Sequence, residues 1–208
     1  MIFHSVPKAV QILFPNRKWN GDPSGNQVYL TFDDGPVPGV TDYVLEQLRI
    51  RNQKATFFMV GDNVRKNPEL ARTVMEEGHL IGNHTFHHLK GFRSSQEEYL
   101  RDFQKAEEIF QEVLGTGTRI FRPPYGSMTP LQSSPIRQSH EIIMWNVLSG
   151  DYDPKANPEK ILLETKNRTQ AGCIVVFHDQ EKTAEVLPKI LPDYLDFLEA
   201  KNFRTSLL

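Results

Sequence analysis

The 208-residue chain holds a single cysteine, Cys173, so no disulfide can form within it. Cys173 lies in the apolar run Gly172–Phe177, where a small buried strand residue is expected. Long hydrophobic runs are missing too: none approaches the ~18 residues that a spanning helix needs. No excess of basic residues exists either. The formal net charge is −2 and the longest basic cluster is the pair Arg17–Lys18. That excludes the charged stripe by which nucleic acids and acidic membrane surfaces are bound. The start, Met-Ile-Phe-His-Ser-Val-Pro-Lys, lacks a charged segment followed by an apolar core. A cytoplasmic location is therefore expected unless a leader has been removed. Internal repeats, low-complexity tracts and linkers are absent, so residues 1–208 are expected to form one domain. A monomer is expected.

What is present is an alternation of strand-like and helix-like segments. Gln27–Phe32 is a β-branched and apolar run ended by Asp-Asp-Gly-Pro. Val40, Val44 and Leu48 then recur at helical spacing. Ala55–Val60 reads as a second strand. Asn67-Pro68 opens a helix that Gly78 closes, and His79–Ile81 is a short third strand. Ser95 and Glu98 form a capping box for a helix to Leu114, stopped by Gly115. Arg119–Phe121 is strand four and Glu141–Val147 strand five. A helix begins at Asn157-Pro158, and Gly172–Phe177 is strand six. From about Thr183 to Ala200 the pattern is helical, with Pro188 and Pro192 delaying or kinking it. Phe203–Leu207 could add a seventh strand. This order predicts a parallel α/β sheet, open or closed into a barrel. The continuously apolar strands suit a sheet buried on both faces.

The chemically capable residues cluster just after predicted strands. Asp33 and Asp34 follow strand one, His84, His87 and His88 strand three, Arg122 strand four, Asp151 strand five and His178 strand six. In a parallel array these points share the carboxyl end of the sheet, where such folds keep their sites. Two neighbouring carboxylates repel unless a cation or a shared proton intervenes. A metal on one would leave the other as a general base. His84 and His88, four apart, would project from one face of a helical turn and share a metal. With Asp34 they supply the three protein ligands of a catalytic zinc site. In Arg122-Pro-Pro-Tyr-Gly126 the prolines lack N–H donors, which leaves the Tyr125 amide as an oxyanion donor. Arg122 could hold a carboxylate bidentately. His178 is placed to act as a general acid. Trp145 is read as a core residue or as a flank of the site. His4, His79 and His140 have no partner pattern, and Phe86 is expected to pack beneath the histidine turn.

Read together, Thr31-Phe-Asp-Asp-Gly-Pro36, Asn83-His-Thr-Phe-His-His88, Arg122-Pro-Pro-Tyr-Gly126 and Ile174-Val-Val-Phe-His-Asp179 resemble the polysaccharide deacetylase family, the NodB homology domain. The matching motifs span about residues 27–180. The resemblance implies a distorted (β/α)7-type barrel of parallel strands with outer helices. It implies Asp33 as general base, Asp34, His84 and His88 as ligands of a divalent metal, and His178 as general acid. It further implies that Arg122 orients Asp33, that the Tyr125 amide stabilises an oxyanion, and that Val176 meets the acetyl methyl. Zinc is the expected ion, with Co2+, Ni2+ or Mn2+ open to the same ligands. One motif departs from the family. In Trp145-Asn-Val-Leu-Ser-Gly-Asp-Tyr152, Leu148 stands for an acid and Tyr152 for a tryptophan, leaving Asp151 as the candidate support of His178.

The expected activity is hydrolytic removal of an N- or O-acetyl group from a carbohydrate, with the acetylated sugar as partner and Tyr125, Trp145 and Tyr152 available to stack on it. Two alternatives remain at this point. One is a hydrolase of a small non-sugar amide using the same site, and the other a carbohydrate-binding pseudoenzyme.

Overall fold

The computed structural model describes residues 5–208, so the expectation for His4 falls outside it. In chain order the elements are α1 (Lys8–Leu13), β1 (Gln27–Asp33), α2 (Thr41–Ile50), β2 (Thr56–Met59), α3 (Gly61–Lys66), α4 (Pro68–Glu76), β3 (Leu80–Asn83), α5 (Gln96–Leu114), β4 (Ile120–Phe121) and α6 (Pro130–Ile136). They continue with β5 (Glu141–Ile142), β6 (Val147–Leu148), α7 (Pro158–Arg168), β7 (Ile174–His178), α8 (Leu187–Ala200) and β8 (Arg204–Thr205). Hydrogen-bonded neighbours run β5-β4-β3-β2-β1-β7-β6, and each of these pairings is parallel. β8 lies off this path beside the start of β1.

The two ends of that path, β5 and β6, are consecutive in the chain. The expected single strand Glu141–Val147 is therefore two, because its halves have different neighbours. Glu141 and Ile142 pair with β4, whereas Val147 and Leu148 pair with β7. Between them the Met144 N–H bonds the Lys18 carbonyl and the Met144 carbonyl accepts from Arg122. The segment before β1 braces the join: Lys18 bridges Ile143, and Asn20 bridges Cys173. Joined ends make the sheet a distorted barrel of the (β/α)7 type and decide against an open sheet.

Several local signals act as expected. Ser95 Oγ accepts from the Glu98 amide at the start of α5, which is the first half of the expected capping box without the reciprocal bond, and Gly115 ends the helix at φ 73°. Asn157 caps α7 and Pro188 delays α8, although Pro192 sits inside α8 without ending it. Three helices were not anticipated: α1, α3 and α6. A signal for α6 was legible, since Thr129 and Gln132 form a reciprocal capping box with Pro130 following the cap.

Period two along the strands sorts the side chains. Val28, Leu30 and Phe32 of β1 pack in the main core with Val175 and Phe177 of β7, against α2 and α8. Tyr29 and Ile174 belong to a separate cluster with Phe58 and Ile120. By alternation Thr31, Asp33, Val176 and His178 continue the Tyr29–Ile174 face toward the carboxyl ends of the strands. Both faces are buried, as the apolar runs implied. Cys173 is buried at the start of β7, Phe86 is buried beneath the histidine loop, and His79 and His140 are buried structural residues.

Candidate active site

The carboxyl ends of β1, β3, β4, β6 and β7 surround one cleft of about 700 Å³. Asp33, Asp34, His84, His88, Tyr125, Trp145, Val176 and His178 all line it. Arg122 and Asp151 lie directly behind and hold two of these residues.

Asp33 is the last residue of β1 and keeps the face that alternation assigns. Asp34 begins the turn at φ 84°, a left-handed conformation that brings the second carboxylate to the same cleft. Asp33 Oδ1 accepts from Arg122 Nη1 at 2.6 Å. The same nitrogen bonds Thr31 Oγ1 at 2.7 Å, and Nη2 bonds the Met144 carbonyl at 3.0 Å. The expected bidentate grip is thus replaced by a single bond, because the other nitrogen ties down the strand join. Arg122 is fully buried, with its guanidinium 4.0 Å from the Phe58 ring. Burial lowers its pKa while Asp33 opposes the shift. Asp33 Oδ2 makes no such bond and faces the cleft.

Asp34, His84 and His88 each offer a ligand atom within 4.8 Å of the others. His88 Nε2 lies 3.0 Å and His84 Nε2 3.5 Å from Asp34 Oδ1. The helical turn expected for residues 84–88 does not form. Thr85 and His88 take left-handed φ of 63° and 58°, and the imidazoles converge through an irregular loop, 5.0 Å between ring centroids. His84 Nδ1 is 2.7 Å from the Arg122 carbonyl, so it carries the hydrogen and leaves a lone pair on Nε2. Asp34 Oδ1 is buried with no hydrogen aimed at it. One oxygen and two imidazole nitrogens thus converge, a donor set that suits a divalent cation. Burial raises the Asp34 pKa, but the His84 and His88 imidazoles outweigh it and hold the carboxyl well below the usual range. A cation acts in the same direction. His87 stays out of this set. Its side chain is half exposed and bonds Asp102.

His178 ends β7. Its Nδ1 lies 2.7 Å from Asp151 Oδ1, and its backbone N–H donates to Asp151 Oδ2 at 2.8 Å. Asp151 is buried and also accepts from Ser149 Oγ. Burial works to lower the His178 pKa. Asp151, with Asp34 and Asp33 adding to it, overrides burial and raises it to about 9. Nε2 is left toward the cleft, where Tyr152 stands edge-on at 5.2 Å. Leu148, in the place of the family acid, lines the cleft as an apolar residue.

Tyr125 has φ 59°, with its side chain exposed beside His88. The turn's own hydrogen bonds come from Gly126 and Ser127, which leaves the Tyr125 amide out of them. Trp145 packs on Gly126, where an added Cβ would meet its ring at 2.9 Å. Two buried acids behind the site had been assigned no part by sequence. Asp179 bonds the Gly35 amide and Thr41 Oγ1, and burial raises its pKa to about 7. Its position right after His178 was a signal. Asp102, on α5, bonds the histidine loop, and nothing in local sequence marked it.

A curled parallel sheet with its polar residues gathered in one cleft at the carboxyl ends defines a (β/α)-barrel scaffold with a candidate active site. A family profile described as polysaccharide deacetylase matches residues 20–138. A peptidoglycan-N-acetylglucosamine deacetylase of Bacillus cereus is 36% identical over 175 residues, covering 80% of each chain. The peptidoglycan-N-acetylmuramic acid deacetylase PdaC of Bacillus subtilis is 30% identical over 178 residues, 86% of this chain and 37% of that one. Among solved structures, the Bc1960 peptidoglycan N-acetylglucosamine deacetylase superposes with a TM-score of 0.84 at 28% identity, covering 98% of this chain and 95% of that one. The chain belongs to the polysaccharide deacetylase family and is a hydrolase of the type acting on non-peptide carbon–nitrogen bonds. No helix among the described residues is long and apolar enough to cross a membrane.

Proposed function

We propose that the protein removes the N-acetyl group of an acetylated amino sugar in peptidoglycan or its fragments. The observation that carries this reading is the meeting of an Arg122-held carboxylate, a three-ligand set and an Asp151-held imidazole in one cleft. The named relatives act on N-acetylglucosamine or N-acetylmuramic acid residues of peptidoglycan, which supports the choice of substrate.

Asp34, His84 and His88 would hold the metal. A divalent ion there supplies Lewis acidity toward the acetyl carbonyl and lowers the pKa of water. Asp33 takes the proton of the attacking water on Oδ2, since Arg122 occupies Oδ1. Arg122 fixes that carboxylate in place. The Tyr125 amide donates to the oxyanion as the carbonyl carbon becomes tetrahedral. His178 Nε2 then donates a proton to the departing amine, and Asp151 on Nδ1 stabilises the imidazolium. Val176, with Leu148 paired to it in register, offers an apolar wall for the acetyl methyl. Tyr125 and Tyr152 border the sugar.

The test is acetate release from N-acetylglucosamine oligomers, peptidoglycan, soluble peptidoglycan fragments and O-acetylated sugars, with metal content measured in parallel. Turnover of an N-acetylated substrate that disappears in Asp33→Asn, with metal content unchanged, supports the assignment. Equal turnover in Asp33→Asn refutes it.

A further inference from the structure

The loop that brings His84 and His88 together cannot satisfy its own backbone. With Thr85 and His88 left-handed, the amides of Thr85, Phe86 and His87 have no helical or strand partners. Side-chain oxygens take all three. Asn83 Oδ1 accepts from the Thr85 amide at 2.7 Å. Asp102 Oδ2 accepts from both Phe86 and His87, each at 2.9 Å, and Asp102 Oδ1 lies 2.5 Å from His87 Nδ1. Asp102 belongs to α5 and is buried. A second residue of the same helix, Glu107, bonds Asn83 Nδ2 at 2.7 Å and so fixes the other acceptor. The loop conformation therefore depends on α5, about fifteen or more residues downstream, as well as on Asn83 beside it.

We propose that Asp102 is a positioning residue for metal binding: by holding the Phe86 and His87 amides, it fixes the separation and aim of the His84 and His88 imidazoles. This rests on the reading of Asp34, His84 and His88 as metal ligands. Groups that hold ligands in place, without touching the ion, commonly set affinity by about 10–100-fold. In Asp102→Ala the buried Phe86 amide and the part-buried His87 amide lose their acceptor, and the loop loses a restraint on left-handed conformations that L side chains disfavour. His87 then has no anchor, but its imidazole is half exposed and is not itself the clamp.

The experiment measures Zn2+ affinity of the full chain by competition with a chromophoric chelator, well below the thermal midpoint of each apo variant. Asp102→Ala is expected to bind about tenfold or more weakly. Asp102→Asn, whose Oδ1 can still accept from both amides, should restore affinity to within about threefold. His87→Ala should stay near wild type. A merely structural role would lower the thermal midpoint and leave the affinity of the folded apo protein unchanged. Should Asp102→Ala fail to fold, Asp102→Leu fills the space without an acceptor and carries the same expectation. Wild-type affinity in the Ala or Leu variant overturns the proposal, as does an Asn variant no better than Ala. The double variant His84→Ala/His88→Ala separates the two readings. If it binds Zn2+ as wild type does, the metal assignment fails, and the role of Asp102 with it.

Discussion

Replacing Asp151 by Asn should move the alkaline limb of the activity profile. In the native site His178 is raised to about 9 against burial, and the nearest cause is Asp151 at 2.7 Å. Asn keeps the shape, and its Oδ1 can still accept from the His178 backbone amide. The charge is lost, and burial then acts unopposed by its nearest counter-charge. The His178 pKa should fall to its ordinary value of 6.5 or below. A fall of two to three units corresponds to roughly 3–4 kcal/mol between the protonation states. At pH 7 the protonated fraction would drop from nearly all to roughly a quarter or less. A bound cation offsets the share contributed by Asp34, so the wild-type limb should lie at or somewhat below about 9. The assay is kcat/KM against pH from 5 to 10, with acetate release as readout and metal content checked at each pH. Wild type should lose activity as pH rises through the His178 pKa, because the proposed donor is the acid form. Asp151→Asn should show that loss at least one unit lower, with about tenfold or greater loss at pH 8. An alkaline limb at the same pH in both proteins, with metal retained, would refute the role given to Asp151. The stability sign agrees. A folded pKa above 6.5 contributes stability that is fully present below pH 6.5 and lost as pH rises toward 9.

Removing either imidazole proposed to hold the metal, by His84→Ala or His88→Ala, should leave less than one equivalent of bound metal after dialysis, measured by elemental analysis, and should abolish acetate release. Arg122→Met leaves Asp33 buried without its counter-charge and should destabilise the protein by about 3–5 kcal/mol, read from denaturant unfolding; a loss under 1 kcal/mol would contradict the buried ion pair. Gly35→Ala places a Cβ 2.0 Å from Asp179 Oδ2, so the turn carrying Asp34 must shift. That variant should lose metal affinity along with a lowered thermal midpoint, and an unchanged Zn2+ titration would show the turn to be more yielding than the packing implies.

The sequence by itself determined what depends on neighbours in the chain. Period two in Gln27–Asp33 and Ile174–His178 set which side chains go to the helices and which to the site face. Caps at Ser95, Asn157 and Gly115 marked helix ends, and the position of polar residues just after strands predicted one shared cleft. Four motifs in order carried the family. What only the tertiary structure decided are relations between distant segments. The division of residues 141–148 into β5 and β6 follows from partners at opposite ends of the sheet, which no local pattern encodes. Arg122 binds Asp33 through one nitrogen because the other secures Met144, 22 residues on. His84 and His88 meet through left-handed residues and not on a helix, since Asp102 and Asn83 supply the oxygens that a helix would have found in its own backbone. The paired carboxylates Asp33 and Asp34 show both kinds of information together. Their order in the chain placed one on the strand and one in the turn, and the fold gave the first to Arg122 and set the second beside two imidazoles.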